Sequence, residues 1–214
     1  MSDAEGSALD VVGIVPAAGR STRIGSPKPL LDAGGVTFLD RVTTALREGG
    51  VSSTLIGVRD SGGPVHAAAL RTGATVFVPD DVELGPIATV RTALHMLSAE
   101  NATAGILLLP VDMPLVTART VRALLEAFQA APDAPLVLPV QGGRDGHPVL
   151  FARVLFPELL DPTLEGGART ITRRHRSAAR KVPVEDRGIH LDIDSLPDYR
   201  RHFPGSYRRR FQKW

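Results

Sequence analysis

Residues 105–111 read GILLLPV, with no charged or hydrogen-bonding side chain at any position. Such a run has no wet face. As a strand it must be covered on both sides, the situation of a central strand in a parallel sheet flanked by helices. It is far too short to span a bilayer. Similar short, β-branched or apolar runs occur at 11–15, 54–58, 75–78 and 136–140. Between them lie segments with helical spacing. Phe38, Val42 and Leu46 recur four apart over 37–48, and Gly49-Gly50 gives that helix a stop. Further helices are expected over 65–71, over 86–97 with Pro86 in the first turn, and over 117–130 with Thr117 as its cap. Strand and helix signals that alternate in this way predict a three-layer α/β/α, Rossmann-like fold with a mostly parallel sheet.

The C-terminal third is less regular. Residues 149–160, 167–176 and 195–202 carry mixed signals, with short strands expected near 181–184 and 189–193. Texture changes near Gly142, which suggests an insertion over about 141–180 within one domain spanning 1–204. Residues 205–214 read as a basic C-terminal tail.

Composition excludes several classes. The 214 residues contain no cysteine, so disulfide scaffolds, Cys-based zinc sites and iron–sulfur clusters are ruled out. The six histidines show no H-x-x-x-H or H-E-x-x-H spacing that would support zinc chemistry. With 25 Lys and Arg against 23 Asp and Glu, the net charge of +2 does not by itself argue for nucleic acid. The basic residues Arg208, Arg209, Arg210 and Lys213 among Tyr207, Phe211 and Trp214 are read as a solvated tail, and no nucleic-acid partner is expected. No basic, apolar leader is legible in 1–10, so a cytoplasmic chain without a membrane partner is expected. Only three lysines occur, and Lys28 stands alone in the first third of the chain.

In open α/β sheets, ligands bind where strands end at their carboxyl side. After the first strand comes Pro16-Ala17-Ala18-Gly19-Arg20-Ser21-Thr22-Arg23-Ile24-Gly25, followed closely by Lys28. Small residues let the backbone approach a ligand, and successive N–H groups form an anion nest. Ser21 and Thr22 add hydroxyl donors, while Arg23 and Lys28 add charge. A polyphosphate needs that mixture of close amides, planar guanidinium and point charge. A plain surface loop has the same glycine content, and neither a P-loop nor a G-x-G-x-x-G pattern is present. Asp112 follows the strongest strand, where it could cap a turn or hold a hard cation. In Leu191-Asp192-Ile193-Asp194, strand alternation places both carboxylates on one face. Either or both could pair with Asp112, and both are carried as metal candidates.

Taken together, VPAAGRSTRIGSPKPLL at 15–31, VDMPL at 111–115, GHPVLF at 146–151, EGGART at 165–170 and LDIDSLPDY at 191–199 resemble the MobA-like NTP transferase family. The resemblance covers about residues 11–202. It leans to the molybdenum cofactor cytidylyltransferase branch through GHPVLF, the downstream G-A-R and the D-I-D ending. Ala18 and Pro27 stand where the guanylyltransferase branch usually has Gly and Asp. Pro16 instead matches the methylerythritol-phosphate cytidylyltransferases, and Gly85-Pro86-Ile87-Ala88 is similar to the guanylyltransferase G-P-L-A.

The resemblance implies an Mg²⁺-dependent enzyme (Mn²⁺ being an alternative) that transfers a nucleoside monophosphate, CMP from CTP, to a phosphorylated small-molecule acceptor such as molybdopterin cofactor. Pyrophosphate would be released. Arg23, Lys28 and Asp112 would be catalytic. Pro16, Ala17, Ala18, Gly19, Arg20, Ser21, Thr22, Arg23, Gly25 and Lys28 would bind the nucleotide, with Gly85, Pro86 and Thr89 within a base-lining segment 84–92. Asp112, Asp192 and Asp194 would supply the metal ligands. Gly146, His147 and Pro148 would face the acceptor. His147 has little to do as a base, because the attacking phosphate oxygen is already ionised. Arg173, Arg174 and Arg176 are read as a solvated helix face, with contact to acceptor phosphate as the alternative. A sugar or alcohol phosphate acceptor, a GTP donor, or a non-catalytic nucleotide-binding role are the other readings. A monomer or homodimer is expected.

Overall fold

The computed structural model describes residues 9–20, 24–98 and 103–212. Eight strands form one mixed sheet. In chain order they are β1 (Val11–Pro16), β2 (Ser53–Gly57), β3 (Thr75–Phe77), β4 (Gly105–Leu108), β5 (Leu136–Gln141), β6 (Arg144–Asp145), β7 (Val149–Ala152) and β8 (Arg180–Pro183). Strand order is β3-β2-β1-β4-β7-β5-β6, with β8 pairing β5. The pairs β1/β2, β2/β3, β1/β4 and β5/β8 are parallel, whereas β7 runs antiparallel to both β4 and β5.

The helices are α1 (Phe38–Gly49), α2 (Pro64–Arg71), α3 (Pro86–Ser98), α4 (Ala118–Ala130), α5 (Phe156–Leu160), α6 (Ala168–Arg174), α7 (Leu196–His202) and α8 (Pro204–Phe211). Alternation along β1 sorts them into two layers. Val11 and Val15 face a core shared with Phe38, Val42 and Leu46 of α1 and with Val121, Leu124 and Phe128 of α4. Val12 and Ile14 face the opposite core, which is filled by Val90 and Leu94 of α3, Leu159 of α5 and Ile171 of α6. The buried side chains of β1, β4 and β7 therefore serve both layers, as a continuously apolar strand requires. Among the described residues, no helix is long and apolar enough to cross a membrane.

Three differences from the sequence reading matter for the site. The segment expected as an insertion belongs to the main sheet. Gly142 and Gly143, at φ 58° and 76°, form a two-residue hairpin turn between β5 and β6. Both positions need positive φ, which glycine adopts without penalty, and the tight reversal forces the following strands to run antiparallel. Strand β7 was hidden because its four residues, VLFA, follow a proline and are too short to show a period.

Residues 189–193 are not a strand. A 3₁₀ turn covers Arg187–His190, and 191–194 has no regular secondary structure. Asp186 explains the turn. It is buried and accepts hydrogen bonds from Thr117 N (2.9 Å), Thr117 Oγ1 (2.8 Å), Thr120 Oγ1 (2.6 Å) and Gly188 N (2.9 Å). One carboxylate thereby ties the start of α4 to the segment that leads to Asp194. The third difference is α8, a packed helix through Phe211 where a tail was expected.

Asp186→Ala would strand four donors at a buried site. A loss of about 3 kcal/mol is expected from such a deletion, measured as a lowered urea midpoint at unchanged slope. A loss below about 1 kcal/mol would mean that the carboxylate does not hold this junction.

Candidate active site

Parallel pairing of β1 with β4, with Ile14 opposite Leu108, brings two chain exits side by side. From β1 the chain enters Ala17 to Arg20, and from β4 it runs through Pro110 and Val111 to Asp112. Ala17 N donates to Gly57 O at 2.8 Å, so the first loop starts flat against the end of β2. Lys28 opens a short 3₁₀ turn, Lys28–Leu30, seated by buried Pro29 and Leu31. Its ammonium reaches Asp112 Oδ2 at 3.2 Å and makes a shorter contact to Asp194 Oδ1. Asp194 arrives from the far end of the chain. Ile193 N donates to Asp112 O at 2.8 Å, and this bond delivers Asp194 to the pair.

The Lys28 side chain is only 15% exposed, against 27% for Asp112 and 38% for Asp194. Burial disfavours the Lys28 charge, but its bonds to Asp194 and Asp112 outweigh that and hold its pKa above the ordinary range. Burial also lifts Asp112, only partly offset by Lys28, with Asp194 pushing the same way. Among the described residues, Lys28 thus meets two carboxylates at once.

Beside this trio lies a cavity of about 350 Å³, lined among others by Ala18, Arg20, Lys28, Arg59, Glu83 and Asp112. Pro16, Ala17, Gly19, Gly85, Pro86 and Thr89, expected at a nucleotide site, also border this cavity. Thr89 is fully buried with an unpartnered hydroxyl, packed against Gly57, where a Cβ would meet its Oγ1 at 2.7 Å. Gly25 takes φ +69° on the way to Lys28. Ser21, Thr22 and Arg23 lie outside the described residues.

Two cavity residues escaped the sequence reading. Arg59 Nε donates to Ala18 O at 2.9 Å and its Nη1 to Glu83 Oε1 at 3.0 Å. Arg20 Nη2 donates to the same Glu83 oxygen at 2.8 Å. Together they strap the first loop to the turn before α3. A signal was available, since Arg59 follows the carboxyl end of β2, the position already judged informative after other strands.

On the other side of β4, a second cavity of about 630 Å³ is lined among others by Arg144, His147, Phe151, Arg169, Arg173 and Arg176. Gly146 sits so close to the 3₁₀ turn that a Cβ would lie 2.5 Å from Ile189 O, and His147 N donates to that oxygen at 2.9 Å. Burial pushes the His147 pKa down, with Leu108, Asp112 and Asp192 opposing, and its Nδ1 is buried without a partner. Pro148 is buried beside it but does not line the cavity. Arg173, Arg174 and Arg176 are all exposed, as a solvated face requires, but they meet different partners. Arg173 lines the cavity, Arg174 pairs with Glu158, and Arg176 pairs with Asp145.

Asp194 meets Lys28, whereas Asp192 is exposed and acts electrostatically on His147. Among the described residues, no group of three or more His, Asp or Glu is arranged to hold a metal ion. The acidic pair at Lys28 offers two hard oxygen ligands, and such sites are completed by substrate phosphate and water.

Residues 13–179 match the family described as MobA-like NTP transferase domain. The chain belongs to that family. It is therefore a nucleotidyltransferase, and the α/β/α architecture agrees. A molybdenum cofactor guanylyltransferase of Sinorhizobium fredii is 32% identical over 181 residues, 80% of this chain and 78% of that protein. Among solved structures, Rv0371c of Mycobacterium tuberculosis has a TM-score of 0.76 at 30% identity, covering 92% of this chain and 99% of that one. A manganese complex of the same mycobacterial protein gives 0.73 at 28% identity, with the same coverage.

Lys28→Met would remove the ammonium that bridges Asp112 and Asp194. The expected cost is about 2 kcal/mol in metal-free buffer, below the range for fully buried pairs because both carboxylates keep some solvent. Calorimetric melting in the presence of a chelator checks this, and an unchanged Tm would show that the pair is not held together by Lys28.

Proposed function

We propose that this enzyme transfers a nucleoside monophosphate to a phosphorylated acceptor, the molybdenum cofactor, with CTP as donor and pyrophosphate as the second product. The observation that carries the reading is the Lys28 ammonium between Asp112 and Asp194, beside the first cavity. The names of the curated relatives support the acceptor.

In the proposed reaction, an acceptor phosphate oxygen forms a new bond to the α-phosphorus of the triphosphate. The bond from that phosphorus to the pyrophosphate oxygen breaks, and the leaving group carries the electron pair away. The attacking oxygen is already an anion, so no base is needed and neutral His147 has no proton to take. What the protein must supply is alignment and positive charge. The backbone of 17–20 cradles the outer phosphates. Lys28 meets the charge that develops as pyrophosphate departs. Asp112 and Asp194 fit a divalent cation by their oxygen chemistry. Bound there, it would neutralise phosphate charge and fix the in-line geometry. Magnesium is the proposed ion, and the manganese complex of the mycobacterial relative supports a divalent site of this kind.

The second cavity suits the acceptor. Its guanidinium groups at Arg144, Arg169 and Arg173 offer paired donors to phosphate, and His147 forms its inner wall nearest Asp112. For the donor base, Ala18 lines the first cavity, and its methyl group occupies space that a glycine would leave open. This favours the smaller pyrimidine. GTP is the second reading, favoured by the relatives' names.

Pyrophosphate release with purified molybdopterin acceptor and each nucleoside triphosphate tests the reaction. Lys28→Ala and Asp112→Ala should each lower kcat/KM by at least roughly 100-fold, the scale seen when an electrostatic partner of a transition state is removed. If both leave turnover unchanged, the mechanism is wrong. CTP should give the highest kcat/KM, and Ala18→Gly should narrow the preference over GTP by roughly 10-fold, the scale of one pocket methyl. A wild-type preference for GTP would replace the donor assignment and leave the chemistry standing.

A further inference from the structure

Helix α8 lies beyond residue 179, where the family match ends, yet it is packed directly against the segment that carries Lys28. Arg210 Nη2 donates to Ser26 Oγ, two residues before Lys28. Arg209 Nη2 meets Asp32 Oδ2 at 2.6 Å, four residues after it. Ser206 Oγ, buried, accepts from Gly34 N at 3.1 Å. Tyr199 OH of α7 donates to Asp32 O at 2.7 Å. An aromatic cluster backs these bonds. Ring centroids of Tyr199, Tyr207 and Phe211 lie 5.3 to 6.3 Å apart, and Tyr199 also stacks edge-on against Phe38 at 5.9 Å.

The held segment needs such support. Its own regular structure is one 3₁₀ turn of three residues, with Gly25, Gly34 and Gly35 at positive φ around it. A turn that short closes few backbone bonds of its own. Lys28 is nevertheless set against carboxylates from two other parts of the chain, and placement errors of about 1 Å are costly in a reaction that depends on alignment. Bonds on both flanks of Lys28 fix the segment at its two ends.

We propose that α8 clamps the 26–34 segment, and that Arg209 and Arg210 are positioning residues for nucleotidyl transfer that act through Asp32 and Ser26 on the place of Lys28. This rests on the proposed role of Lys28 at the α-phosphate. Both arginines are exposed, so their pairs add little to global stability. Their effect should appear in kcat and not in Tm, which separates positioning from a merely structural role.

The test uses the full-length chain carrying Arg209→Ala and Arg210→Ala together, with Arg209→Lys and Arg210→Lys as the conservative pair. The double alanine variant should lower kcat on the order of 10-fold. The acceptor KM should stay unchanged, and Tm should move by less than about 2 °C. Amide exchange over 26–35 should quicken. The lysine pair should recover most of the rate, because it keeps a cation at both positions. In a Lys28→Ala background the same two alanines should cost almost nothing further, as expected of residues acting through one group. Unchanged kcat in the double alanine variant, with Lys28→Ala impaired, would sink the clamp and spare the reaction. An equal loss in both backgrounds would also sink it. An inert Lys28→Ala would bring down both this inference and the reading it rests on.

Discussion

Charge compensation around Lys28 is the constraint on which the site depends. Its partners Asp112 and Asp194 are 84 and 166 residues away in the chain. An ammonium in a largely dry position survives only if carboxylates satisfy it, and the carboxylates in turn need a cation. Three distant loops must therefore close on one point. Parallel pairing of β1 and β4 sets two of them side by side, and the Ile193 to Asp112 backbone bond closes the third.

The sheet also divides the site. The first cavity opens beside the end of β1 and the start of α3, and the second beside β7 and α6, with Asp112 and His147 near their boundary. An antiparallel strand produces this division. The Gly142-Gly143 hairpin turns the chain back, β7 enters between β4 and β5, and Gly146 lets His147 settle against Ile189. A wholly parallel sheet would have placed a crossover helix there. On the outer side, α7 and α8 pack an aromatic cluster under the first loop, so the last described helix bears on the first loop of the fold.

Much of this was legible before any coordinates. The helices with strong caps appeared where expected, Thr37 with Asp40 on α1 and Thr117 on α4, because capping is local chemistry. The cavity lining at Pro16 to Arg20 and at Gly85, Pro86 and Thr89 followed from strand ends. What failed was whatever depended on distant partners. Asp192 and Asp194 could not be told apart, since the contact that singles out Asp194 comes from Lys28, 166 residues away. Glu83 gave no local pattern and Arg59 only its place after β2, since their roles come from their bond to each other and from that of Arg59 to Ala18. Residues 205–211 read as solvated because their charges dominate, while Ser206 bonds Gly34, 172 residues away, and Arg209 and Arg210 reach Asp32 and Ser26.

The sequence by itself determined the fold class, the family and the lone lysine near the first loop, because apolar runs, caps and ordered motifs are written in neighbouring residues. Only the tertiary structure decided which carboxylate joins Asp112 at Lys28, which arginines border the second cavity, and that the C-terminal helix grips the first loop. Each of those depends on where separate segments meet, and burial makes the meeting selective by penalising any charge that arrives without its partner.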